Sequence, residues 1–135
     1  MKRTIALTTV TALAVGSGAL LLAAAPAQAD GPERQARGNV AGAQYEMSAE
    51  KDNGRFEVDA DLDGVPAGSS WKMVVRHDGK KVATRTANAV RDDGRYDVDF
   101  AEVRRSDSAG KDVFKVTLTR TDGAGKVTRT LTFAS

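Results

Sequence analysis

The chain has 135 residues, with 20 Lys and Arg against 18 Asp and Glu, one His and no Cys. Without Cys there is no disulfide framework, no thiol chemistry and no thiolate metal centre, and a single His cannot build a multi-histidine metal set. The small basic excess resides in the first three residues and is no sign of a nucleic-acid-binding stripe.

Lys2 and Arg3 open the chain, an apolar run follows from Ile5 to Ala25, and Pro26 precedes Ala27-Gln28-Ala29. A basic start, an apolar run and an A-x-A site form a secretory signal pattern, which predicts cleavage after residue 29. The run is also near spanning length, so an uncleaved membrane anchor is the competing reading. Removing the first 29 residues leaves 106, enough for one domain and too few for two. The exported chain would then have 18 bases and 18 acids and be free outside the cell, with no membrane attachment. All seven aromatic residues (Tyr45, Phe56, Trp71, Tyr96, Phe100, Phe114 and Phe133) lie in this part. They offer a core that needs no disulfide.

Residues 30–42 are polar and rich in Gly and Arg, with no period, and read as a flexible tail. The domain then spans residues 43–135. Tyr45, Met47 and Ala49 alternate with Glu46, Ser48 and Glu50, predicting a first strand. Lys51-Asp52-Asn53-Gly54 reads as a hairpin loop, and Phe56 to Asp63, FEVDADLD, as the second strand. Gly64 to Ser70 contains Pro66 and reads as irregular. Trp71 to His77 is the third strand, and Asp78-Gly79 turns it tightly into a fourth, Lys80 to Ala87. The fourth has no aromatic residue and is rich in Lys, Thr and Arg, as a protected edge is. Asn88 to Gly94 reads as a loop, Tyr96 to Phe100 as the fifth strand, and Ala101 to Lys111 as a longer connection. Phe114 to Thr119 is the sixth strand and Val127 to Phe133 the seventh. Arg129 breaks the apolar parity of the seventh, so either it snorkels at an edge or a bulge shifts the register.

Seven short strands with no helical stripe predict an all-β, antiparallel sandwich after the signal segment. The hairpins place strands one, two and five in one sheet, opposite strands four, three, six and seven. The ending Val113-Phe114-Lys115-Val116-Thr117-Leu118-Thr119-Arg120-Thr121-Asp122-Gly123-Ala124-Gly125-Lys126 resembles the last hairpin of bacterial immunoglobulin-like domains. Trp71 at the head of the third strand resembles their core tryptophan. Phe114 stands where such domains often carry a corner Tyr, so the corner hydrogen bond is absent. The resemblance implies an immunoglobulin-like, fibronectin-III-like sandwich. The whole precursor is similar to small secreted proteins of high-GC Gram-positive bacteria, a similarity that implies no particular activity.

Asp59, Asp61, Asp63 and Gly64 spell the start of a calcium loop, but its twelfth position is Ser70 and its ninth Ala67. Same-face strand residues lie about 6.6 Å apart, too far for three carboxylates to converge on one ion. The acids therefore read as a strand face, with a weak surface site at the Asp63 end as the lesser alternative. His77 and Asp78 are adjacent, and neighbouring strand residues point to opposite faces, so they make no triad. No catalytic, cofactor or metal residue is expected.

What remains is charge sorted by sheet. On the first, outward positions are Glu46, Glu50, Glu57, Asp59, Asp61, Asp63, Asp97 and Asp99, with Arg55 and Arg95 at strand starts as cross-strand partners. On the second they are Lys72, Arg76, Lys81, Arg85, Lys115 and Lys126, with no acid. This predicts a non-enzymatic binding or scaffold module whose basic face meets an anionic cell-wall polymer or an acidic protein surface. The competing readings are a solubility device, head-to-tail self-association, and a small inhibitor of an extracellular hydrolase acting through Gly64–Ser70 and Asn88–Gly94.

Overall fold

The computed structural model describes residues 32–134, so the signal pattern and its cleavage site lie outside the described residues. Ten strands and no helix make up that span: β1 Glu33–Val40, β2 Ala43–Asp52, β3 Arg55–Asp63, β4 Ser70–His77, β5 Lys80–Asn88, β6 Val90–Asp92, β7 Arg95–Asp99, β8 Val103–Ser106, β9 Asp112–Arg120 and β10 Lys126–Phe133. They form two antiparallel sheets in a sandwich-like arrangement. One runs β1-β2-β3-β7-β6, with β8 also on β3, and the other β10-β9-β4-β5.

Four tight turns set the hairpins. Asn53-Gly54, Asp78-Gly79 and Asp93-Gly94 each place two successive residues at positive φ, the requirement of the hairpin turn that follows right-handed strand twist. Ala41-Gly42 does the same between β1 and β2, although Ala is a poor residue for that conformation.

The strands expected from alternation keep their expected neighbours, but three further strands join them. The first correction concerns residues 30–42. Residues 33–40, expected as a flexible tail, are strand β1, paired along its whole length with β2 from Glu33↔Glu50 to Val40↔Ala43. Its inward positions include Ala36 and Gly38, too small to mark a strand by hydrophobic alternation. Smallness is forced at Gly38, where a Cβ would lie 2.7 Å from Tyr45 Oη. The second correction concerns Asn88–Gly94, which is no open loop: β6 pairs with β7 from Val90↔Asp97 to Asp92↔Arg95. The third concerns the connection after the fifth strand. The chain returns to β3 as β8, with Val58↔Val103 after Asp61↔Asp99. Three steps along β3 face four along the returning chain, so one extra residue is absorbed around Phe100–Glu102.

Between the sheets, Trp71, Phe56, Phe114, Phe133, Met47, Leu62, Met73 and Leu118 are fully buried. Phe56 packs on Phe114 and Phe133 with ring centroids 4.9 and 4.8 Å apart. Trp71 Nε1 donates to Ser69 Oγ at 3.0 Å, which satisfies the indole inside the core. The register of β10 on β9 is unbroken, so no bulge accounts for Arg129. Its side chain stays exposed and lays its guanidinium over the Tyr45 ring, 5.6 Å from the centroid.

Candidate functional site

The outer face of β10-β9-β4-β5 is built by strand parity. Lys126 pairs with Thr119, which pairs with Lys72. Two steps along the sheet from Lys72, Arg76 lies directly between Lys115 on β9 and Lys81 on β5. Between these rows, Thr128, Thr117, Val74 and Thr84 cross the sheet without charge. Five of the six expected cations thus share one face: Lys72, Arg76, Lys81, Lys115 and Lys126. None of the five makes an ion pair with another described residue.

Arg85 is the exception and a correction. The β4–β5 register shifts between Val75 and Arg76, so one extra residue separates Lys81 from Ala83 in the pairing. Beyond that irregularity parity is reversed, and Arg85 pairs with the buried core residue Met73. It lies half-buried on the inward side of the edge strand and does not belong to the basic face.

The opposite sheet carries the acids. Glu46 pairs with Asp61, and Asp61 with Asp99; Asp63 pairs with Asp97. Of the two anticipated cross-strand cations, Arg95 lies two residues beyond Asp97, the partner of Asp63, at the end of the sheet expected for it, but Arg55 does not reach Asp99. Arg55 pairs with Asp52 and with Ser106 of β8, far from Asp99, because β8 takes over that end of β3. Instead, the unexpected strands bring bases of their own. Arg37 of β1 bonds Glu46 at 3.0 Å, and Arg104 of β8 lies 3.7 Å from Glu57. Ser48 Oγ donates to Asp59 at 2.7 Å. Arg37, Asn39, Gln44, Glu46, Asp61 and Asp63 line a depression of about 340 Å³. Partial burial, followed by the charges of Glu46, Asp63, Asp99 and Asp59, pushes the Asp61 carboxyl up to about 7. The calcium-loop geometry is absent here, since β3 stays extended through Asp63.

A third cluster closes one end of the sandwich. His77 is buried, with its ring stacked on Phe114 at 4.3 Å and 15°. Its Nε2 lies 2.6 Å from Asp112 Oδ1 and 3.6 Å from Asp78 Oδ2. The tight turn brings the Asp78 carboxylate back toward Nε2, which corrects the expectation that these neighbours point apart. Ser108 Oγ donates within the same cluster, 2.6 Å from Asp112 Oδ1 and 2.9 Å from Asp78 Oδ2. Burial raises the Asp112 carboxyl, but hydrogen bonds from Ser108 and His77 outweigh it and hold the group below the ordinary carboxylate range. Ser108 and His77 both approach Asp112, so the serine is not aligned as a nucleophile with the imidazole as its base.

Protein-family models, curated proteins and solved structures offer no match to the chain. The assignments therefore rest on these three surfaces. Asp112 and Ser108 carried no warning in the sequence: Asp112 is 35 residues from His77 and opens β9 two residues ahead of the apolar alternation that starts at Phe114.

Proposed function

We propose that this protein is an exported, non-enzymatic binding or scaffold module with an immunoglobulin-like, fibronectin-III-like sandwich. Its basic outer face takes an anionic cell-wall polymer as ligand. The carrying observation is the row Lys115–Arg76–Lys81, three directly paired cations, none of them paired with an acid. Like charges directly opposite one another destabilise a sheet. A surface selected for solubility alone gains more from interspersed signs. A polyanion crossing the strands removes that repulsion, and Lys72, about 13 Å along the strand, extends the contact. The uncharged Thr and Val row between offers a flat floor with hydroxyl donors.

The signal pattern supports export. The neighbour order β2-β3-β7 facing β5-β4-β9-β10, with a buried Trp71 heading β4, supports the immunoglobulin-like reading.

The test is retention on isolated cell-wall fractions across a salt gradient. The protein should be held at about 50 mM salt and released by about 0.5 M, where screening falls within about 4 Å. Lys72→Glu with Lys115→Glu should weaken retention at low salt at least tenfold. Lack of retention of the unaltered protein at low salt would sink the reading. Retention on an acidic protein and not on wall polymer would redirect it to a protein partner.

A further inference from the structure

We propose that His77, Asp78, Asp112 and Ser108 form a binding site for a divalent transition-metal ion of the size and preference of zinc. Four potential ligand atoms from two separate pieces of chain converge there: the end of β4 with the β4–β5 turn that follows it, and the segment that leads into β9 with its first residue. One ligand atom from each of His77, Asp78 and Asp112 lies within 4.8 Å of the other two. Ser108 Oγ completes a ring whose sides are 2.6, 2.6, 2.9 and 3.6 Å. Ligands held about 2.0–2.2 Å from a tetrahedral ion stand about 3.3–3.6 Å apart. The ring therefore opens by at most about 1 Å per side to admit one, a movement within reach of side-chain rotation.

The chemistry of the four groups also suits a dication. Ser108 has one hydroxyl hydrogen and stands within bonding distance of two carboxylates. His77 Nε2 and the Ser108 N–H, 2.6 and 3.3 Å from Asp112 Oδ1, also point at that carboxylate, and a central cation would serve both carboxylates at once. Two carboxylates, a neutral imidazole and a dication sum to zero charge, which suits a cluster with Asp112 and His77 buried. An imidazole nitrogen among only four donors favours a transition ion over calcium or magnesium, which take six or more oxygens.

The ligands are also held from behind. The His77 ring is stacked on Phe114 and meets Phe56 edge-on at 6.0 Å. Asp78 uses its other oxygen to accept Val113 N–H at 2.8 Å, and its own N–H donates to Val113 O at 2.8 Å. Such outer contacts fix ligand orientation in metal sites. An ion here would tie the connection after β8 to the β4–β5 turn. In a chain without Cys it would serve as the cross-link a disulfide supplies elsewhere.

The experiment uses full-length exported protein freed of metal with a chelator, then titrated with ZnCl2, CoCl2 or CaCl2. Expected are one zinc per chain, a rise in Tm with zinc, the visible absorption of four-coordinate cobalt, and no Tm change with equimolar calcium. Asp78→Asn keeps the Val113 hydrogen bond and should fold, yet weaken zinc binding at least tenfold. His77→Gln should abolish the cobalt spectrum. Asp61→Asn, on the acidic sheet, should leave both unchanged. Absence of a zinc-dependent Tm shift at millimolar metal would overturn the proposal. So would zinc binding that survives Asp78→Asn and disappears in Asp61→Asn.

Discussion

Asp61 sits where three strands of like charge meet, with Glu46 to one side and Asp99 to the other. Its carboxyl is raised from 3.8 in the unfolded reference to about 7 in the fold. Between about pH 4 and pH 7 the fold therefore holds a proton that the unfolded chain releases. The stability linked to that proton is fully present below pH 4 and is lost as pH rises through 7. Replacing Asp61 by Asn removes the ionisation. After allowance for screening of a half-exposed group, Asp61→Asn should stabilise the protein by about 1–2 kcal/mol at pH 8 and hardly at all at pH 4. Denaturant melts at the two pH values read this directly, and parallel shifts at both would contradict it. The alternation FEVDADLD made the acidic face legible, since period-2 spacing puts these acids on one side. It did not reveal which acid lies opposite which, because register belongs to pairs of strands.

Strands β1 and β5 depart from expectation for opposite reasons. β1 was invisible because its inward residues are small, and they are small because Tyr45 occupies the space above Gly38. Gly38→Val should force the ring aside and cost about 1–3 kcal/mol, seen as a lower denaturation midpoint with an unchanged m value. A fully tolerated Val would mean that β1 is not seated on Tyr45. β5 was visible, but its face was misassigned beyond the β4–β5 irregularity, where Arg85 comes to share a side with Met73. In the wall-retention assay Arg85→Ala should lose at most about half the retention, whereas Lys72→Ala should lose several-fold. Equal losses would place Arg85 back among the binding cations. Alternation counts residues along one strand, and a single unpaired residue reverses everything after it.

At the scale of the molecule, one sheet face is cationic without acids, and the other is predominantly acidic with Arg37 and Arg104 set among the carboxylates. The two faces lie on opposite sides of a core about 10 Å thick, so the field is that of a dipole normal to the sheets. Such a field orients the molecule toward a polyanion before contact and fades as salt shortens the Debye length. The salt dependence proposed for retention is therefore a property of this separation of faces. The His77 cluster lies at one end of the sandwich, between the faces, and its proposed ion would alter rigidity there and leave the basic rows in place.

The sequence by itself determined what short-range chemistry controls. Alternating residues marked seven of the ten strands, Asn-Gly and Asp-Gly specified tight hairpins, and these together predicted how those seven divide between two sheets. The tertiary structure alone decided what depends on residues far apart in the chain. It seated β1 against Tyr45, turned Arg85 inward, set Asp61 between two other acids, and brought Asp112 and Ser108 to His77. The physical reason is that turn and parity preferences act over a few residues. Registers, bulges and side-chain clusters are chosen only when separate strands compete for the same core.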